Sequence, residues 1–163
     1  TEIYTLSLHD ALPISVGYGK CGSFEGFASG GGIAQLARFK VSEKQQMGES
    51  VAWCPPGQLD SISAHTVALA AASGDPLALE IYRISATYLG RGLAMVIDLL
   101  NPEVIVIGSI YVRSREFIEP AMRRVIAERA LEQSVSACRI LPAALGESIG
   151  DVAALCVAET GEK

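Results

Sequence analysis

The sequence predicts an α/β layer fold, and three features carry that expectation. A β-branched run, Val104-Ile105-Val106-Ile107, stands between Pro102 and Gly108 and reads as a central strand buried on both faces. Amphipathic stretches flank it, over Pro76–Leu100 and Glu116–Leu131. A second short run, Cys138-Arg139-Ile140-Leu141, and a closing stretch through Ala154, Leu155 and Val157 complete the order helix, strand, helix, strand, helix. The 163 residues, half of them hydrophobic, fit one domain with a sizeable core.

The elements follow in order. Residues 1–15 hold no pattern that the rest continues. Their Ile3-Tyr4-Thr5-Leu6 would suit a strand, but the stretch is similar to translated sequencing-adapter DNA, so a non-native leader is expected and His9 carries no weight. From Phe24 to about Lys40 the spacing of Phe24, Phe27, Ile33 and Leu36 predicts a helix. Val41 to Asp60 is a polar, proline-containing connection, and a loop of that length is usually functional or mobile. Asp60 or Ser61 is then expected to cap a helix reaching Ser73. Gly74-Asp75-Pro76 is a stop and restart: glycine ends one helix, aspartate caps the next and proline takes its first position.

Between Pro76 and Leu100 one stripe is Leu77, Ile81, Ile84, Tyr88 and Met95, and a second is Leu89, Leu93, Val96 and Leu100. Two stripes imply burial on more than one side. Gly90 and Gly92 suggest close packing against a neighbour. Asn101-Pro102 breaks this helix before the strand. In the helix over Glu116–Leu131, Phe117, Met122, Val125 and Ile126 should face inward, and Arg123, Arg124, Glu128 and Arg129 outward. Asp151 is expected to cap the last helix.

Composition narrows the function. The net charge is −5, and no basic cluster is longer than Arg123-Arg124, which argues against a nucleic-acid surface here. The apolar runs are too short to cross a bilayer, and no basic region leads into an apolar stretch as a secretory signal would. Cys21, Cys54, Cys138 and Cys156 are scattered outside metal or redox spacing, so reduced thiols in a cytoplasmic protein are expected.

Gly22-Ser23-Phe24-Glu25-Gly26-Phe27-Ala28-Ser29-Gly30-Gly31-Gly32-Ile33 holds five glycines in twelve positions. Each glycine costs an ordinary helix up to about 1 kcal/mol relative to alanine, so their use is a packing loop or close approach to a ligand. This segment resembles the Gly-Cys-x-Glu-(x)3-Ser-Gly signature of the ROK family of bacterial sugar kinases and sugar-responsive repressors. Asp75-Pro76-Leu77-Ala78, Leu100-Asn101-Pro102-Glu103-Val104-Ile105-Val106-Ile107-Gly108 and Ala144-Leu145-Gly146-Glu147-Ser148-Ile149-Gly150-Asp151-Val152-Ala153-Ala154-Leu155 resemble further blocks of that family, in its order. The resemblance runs from about Val16 to Ala158. It implies that residues 16–163 are the C-terminal part of a hexokinase-type domain, an actin-like, ribonuclease H-like lobe lacking its N-terminal side.

The site residues follow from that resemblance together with the residues themselves. Gly108 lies just past a strand end, where α/β sheets gather ligands, and the bland alternative is a simple turn. Gly108-Ser109-Ile110 looks like the family's adenosine-contacting loop, usually Gly-Gly-Gly, implying ATP with Mg as cofactor. Glu25 matches the family glutamate that accepts hydrogen bonds from sugar hydroxyls, the alternative being a surface residue near a helix start. Ser29, Gly30 and Gly31 are lesser candidates for the wall of the same pocket.

Departures matter equally. Many relatives bind a structural zinc through Cys-x-Cys-Gly-x-x-Gly-Cys and an upstream His. Val16, Tyr18 and Ser23 stand at the three cysteine positions while Gly19 and Gly22 match, and Cys21 falls off register, so no zinc is expected. Kinase chemistry further needs a phosphate loop and an aspartate base. Asp60, Asp75, Asp98 and Asp151 match neither, and Asp98 reads as a helix-end residue, so no catalytic residue is assigned. The expected function is the C-terminal part of an ATP-dependent hexose or N-acetylhexosamine kinase, inactive alone. The alternative is the sugar-sensing domain of a repressor. The expected partners are a sugar, a nucleotide and, as is frequent in the family, a second copy in a homodimer.

Overall fold

The structure, a computed structural model, describes residues 16–17 and 19–160. The expected leader (residues 1–15) and Tyr18 lie outside the described residues. A two-residue hairpin, β1 (Val16–Gly17) and β2 (Lys20–Cys21), leads into α1 (Phe24–Ala28) and α2 (Gly30–Gln46). After a loop and a 3-10 turn over Leu59–Ser61 come α3 (Ala64–Ala72) and α4 (Pro76–Leu100). The chain continues as β3 (Val104–Ile107), α5 (Ile110–Arg113), α6 (Arg115–Arg129), α7 (Glu132–Ala137), β4 (Arg139–Pro142) and α8 (Ile149–Thr160).

The stretch read as one helix from Phe24 is two. Ser23 caps α1 by accepting from the Gly26 amide at 3.1 Å, and Ser29 caps α2 by accepting from the Gly32 amide at 3.0 Å. Ser29 is extended, with φ −97° and ψ 166°, so the axis turns there. Periodicity is blind to such a break, because a serine that competes for a backbone amide is neutral in hydrophobic spacing. Gly32 makes the corner possible: a Cβ there would sit 2.3 Å from the Gly26 carbonyl oxygen. The following helix persists to Gln46 rather than Lys40, shortening the expected loop.

Neither Asp60 nor Ser61 caps α3. Both lie in the 3-10 turn, and Ser63 caps instead, accepting from the Thr66 amide at 3.2 Å. The restart at Gly74 is as expected: Gly74 has φ +81°, and Asp75 accepts from the Ala78 amide at 2.9 Å. Asn101, in the left-handed region, closes α4.

Helix α4 organises the core. Ile81, Tyr82, Leu89, Leu93 and Ile97 are buried against α2, α3 and α6, each of the four aliphatic ones contributing about 1.5–3 kcal/mol by burial. Its most extensive contact is with α6, where Met122, Val125 and Ile126 point inward as expected and Phe117 is half-buried. Gly90 is the contact point, since a Cβ there would lie 2.7 Å from the Met122 carbonyl oxygen. Gly92 meets the ring of Phe24. Asp98 accepts from the Leu131 amide at 2.9 Å, tying the end of α4 to the α6–α7 junction. Met95 and Leu100, placed on the apolar stripes, are exposed.

β3 and β4 pair in parallel, Val104 opposite Arg139 through Ile107 opposite Pro142. β3 is not buried on both faces. Ile105 and Ile107 pack on the core, while Val106 on the other face is 61% exposed. The physical reason is the period of a strand, which turns alternate residues to opposite faces, and the helices cover one of them. Two short helices, α5 and α7, were not expected. Asp151 is not a cap: α8 is already helical at Ile149, so the aspartate lies in its first turn.

Candidate functional site

The N-terminal end of α2, the start of α3 and the helix α5 surround an open cleft of about 610 Å³. Each element supplies it at helical spacing. α2 gives Gly30, Ala34 and Arg38, four residues apart; α3 gives Ala64, His65 and Ala68; α5 and its end give Ile110, Arg113 and Ser114. Gly31, Ile62 and Ser63 complete the lining. The walls are thus small or aliphatic, and the polar groups are two arginines, a histidine and two serine hydroxyls. Among the described residues, no carboxylate and no side-chain amide lines it.

The walls are fixed from behind. Arg38 donates from Nε to the Leu59 carbonyl at 3.2 Å and from Nη2 to the Ile62 carbonyl at 2.9 Å, pinning the irregular 59–62 wall to α2. Three glycines around the cleft are free of internal demands. A Cβ on Gly30 or Gly108 would meet only a methyl at 3.6 Å, Ala64 and Ala143 respectively, and one on Gly31 only the Ser29 hydroxyl at 3.7 Å. None of the three has positive φ. Gly32, one residue on, is the opposite case.

Of the residues expected from sequence, Ile110 lines this cleft together with Gly30 and Gly31. Gly108 and Ser109 lead into it from the end of β3. Ser109 has φ 52° and ψ −127°, a region that glycine enters freely and other residues rarely. Glu25 is elsewhere. It is exposed in the first turn of α1 and is not among the residues that line this cleft, whereas Gly30 and Gly31 are. Its stem lies over the hairpin: a Cβ on Gly17 would sit 2.7 Å from the Glu25 Cβ.

The hairpin is held by hydrogen bonds. The Gln35 side chain accepts from the Val16 amide at 3.1 Å and donates to the Val16 carbonyl at 2.9 Å, while the Ser23 hydroxyl donates to the Gly17 carbonyl at 3.4 Å. The donor set there does not fit a tetrahedral zinc. Val16 has no ligating atom, the Ser23 hydroxyl already serves the helix cap, and Cys21 is a single exposed thiol.

Sequence reasoning missed Arg38, His65, Arg113 and Ser114. The signal was present in the spacing of Gly30, Ala34 and Arg38 along one helical face.

A parallel strand pair leading through a glycine into a cleft, backed by long helices, defines part of an actin-like, ribonuclease H-like lobe. The ROK family profile matches residues 11–160, and the chain belongs to the ROK family. It is 30% identical to the glucokinase of Halalkalibacterium halodurans over 132 residues, 81% of this chain and 39% of that protein. Among solved structures it resembles a ROK family transcriptional regulator, a homologue of the Escherichia coli Mlc protein (TM-score 0.61, 31% identity, 76% of this chain and 30% of that one). It also shares the fold of a ROK family glucokinase from Streptomyces griseus, solved with glucose and AMPPNP (TM-score 0.60, 24% identity, 81% and 43%). The chain therefore has relatives among both glucokinases and regulators and spans between 30% and 43% of the length of each. No helix among the described residues is long and apolar enough to cross a membrane.

Proposed function

We propose that this chain is the C-terminal part of an ATP-dependent ROK-type hexose or N-acetylhexosamine kinase, and that its cleft receives the adenosine end of the nucleotide. The observation that carries the reading is the set of unconstrained glycines. Nothing among the described residues requires Gly30, Gly31 or Gly108 to lack a side chain, and open backbone beside a cleft suits the close approach of a planar base. The lining supports a base rather than a hexose. Sugar hydroxyls call for carboxylate and amide acceptors, which are missing among the described residues of this cleft, while aliphatic walls with a few polar groups suit a heteroaromatic ring.

In this reading Gly108, Ser109 and Ile110 contact adenosine, and Glu25 accepts hydrogen bonds from the sugar at a separate place. ATP with Mg supplies the phosphoryl group, and the aspartate base and the phosphate loop belong to sequence outside this chain. The chain alone therefore binds ligands without turnover. A cytoplasmic protein acting on small sugars, in a homodimer, completes the proposal.

One observation favours a second reading, the sensor domain of a repressor. The regulator structure shares more identity with this chain than the glucokinase structure does, 31% against 24%. Calorimetry on the full chain with ATP, ADP and a hexose panel separates the two. Nucleotide binding that is lost in Gly108→Trp supports the kinase reading. Sugar binding lost in Glu25→Ala with no nucleotide binding supports the sensor. Binding of neither overturns both site assignments.

A further inference from the structure

Beneath the cleft lies a polar contact that lining residues alone do not reveal. Tyr82 of α4 is fully buried, and Ser114, at the junction of α5 and α6, is 1% exposed. Their hydroxyls are 2.9 Å apart. The Tyr82 hydroxyl also donates to the Ala64 carbonyl, in the first turn of α3, at 3.3 Å. A phenol has one proton, so donation to Ala64 leaves its oxygen to accept from Ser114. The ring is held from the side by Phe117, with centroids 5.2 Å apart. Burial pushes the Tyr82 phenol above its ordinary range, against a weaker opposing effect of the Ser114 bond and the Arg113 charge, so the group stays a protonated donor at neutral pH.

Ala64 and Ser114 both line the cleft, on two different elements, whereas Tyr82 does not. We propose that Tyr82 is a positioning residue, a strut whose hydroxyl sets the distance between the α3 and α5 walls and hence the fit of a nucleotide's planar base. This rests on reading the cleft as the nucleotide site. Among the described residues the Tyr82 hydroxyl bonds Ala64 and Ser114 alone, so its influence should be confined to those two walls. A hydroxyl serving stability alone would have no such preference.

The test uses the full chain with Tyr82→Phe, Ser114→Ala and the double variant, titrated with ADP, ATP and glucose. Tyr82→Phe is expected to weaken nucleotide binding about three- to tenfold, the range of one neutral hydrogen bond, and to leave glucose binding unchanged. The double variant should bind nucleotide no more weakly than Tyr82→Phe, because both changes break one linkage. Hydrogen exchange should accelerate at residues 64–68 and 110–114 and not at residues 33–41. Unchanged nucleotide affinity in Tyr82→Phe, parallel loss of glucose affinity, additive losses, or exchange rising uniformly would each overturn the strut alone. A wild-type chain that binds no nucleotide would overturn the reading of the cleft, and the strut's role with it.

Discussion

The helical layer and the strand layer of this chain are built to different standards. Around α4, backbones touch through glycines, and the inward-facing side chains of α2, α3, α4 and α6 interlock in one buried core, with Met95, Leu99 and Leu100 at the end of α4 outside it. Around β3, β4 and α8, the apolar residues Val106, Leu141, Leu155 and Val157 face outward, at 61%, 42%, 66% and 70% exposure. The first region has its stability in its own contacts. The second presents apolar surface that the described residues leave uncovered, and the candidate cleft lies on the first side, where Arg38 ties one of its walls to α2.

The contrast can be broken most directly by substitution. Gly90→Ala forces a Cβ to 2.7 Å from a backbone carbonyl and should destabilise by about 1–3 kcal/mol, because the α4–α6 crossing has to open. Val106→Lys on the open strand face should change stability by no more than about 0.5 kcal/mol. Thermal unfolding of the two variants decides this: equal losses would mean that the strand face is as tightly packed as the helices.

A smaller effect belongs to the boundary between the layers. Ser109 occupies a backbone region costing about 1–3 kcal/mol for a non-glycine residue, offset in Ser109→Gly by the entropy of a glycine in the unfolded chain. The net expected gain is about 1 kcal/mol, read as a higher denaturant midpoint with unchanged slope. A loss would show that the serine hydroxyl makes a compensating interaction.

The smallest effect is electrostatic. Glu119 on α6 accepts hydrogen bonds from Arg115 and from Arg123, the latter at 2.6 Å, and Arg123 also donates to the Ile140 carbonyl of β4 at 3.5 Å. The Arg115 hydrogen bond, ahead of the Arg123 hydrogen bond and the two arginine charges, holds the Glu119 carboxyl at about 2, below its ordinary 4.5. A depressed carboxylate stabilises the fold above its unfolded value and ceases to do so as pH falls towards 2. Stability should therefore decline between pH 4.5 and 2, less steeply in Glu119→Gln. Identical acid profiles would show that water screens the pair to nothing, as for many surface ion pairs.

Local rules carried much of the fold. Gly74-Asp75-Pro76 and Asn101-Pro102 mark helix ends through their own backbone preferences, so those boundaries were readable from sequence. The break at Ser29 was not, because it depends on one hydroxyl choosing a backbone amide. The burial of Val106 was misread because a β-branched run describes the strand and not what covers it. For the site, glycine content marked Gly30 and Gly31, and the position just past a strand end marked Gly108. Arg38, His65 and Arg113 meet only through tertiary structure, since three helices far apart in the chain supply them.

The two fastenings behind the cleft have a consequence for engineering. Gln45 donates to the Cys54 carbonyl at 3.0 Å, and Arg38 holds the chain again at Leu59 and Ile62. Between these anchors runs an exposed turn with Gly57 at φ +81°. Residues inserted beside Gly57 would lengthen a loop already closed at both ends, and doubling such a loop costs only about 0.6 kcal/mol. A fluorophore or peptide epitope placed there would meet open space, since nothing lies within 4 Å of a Cβ at Gly57.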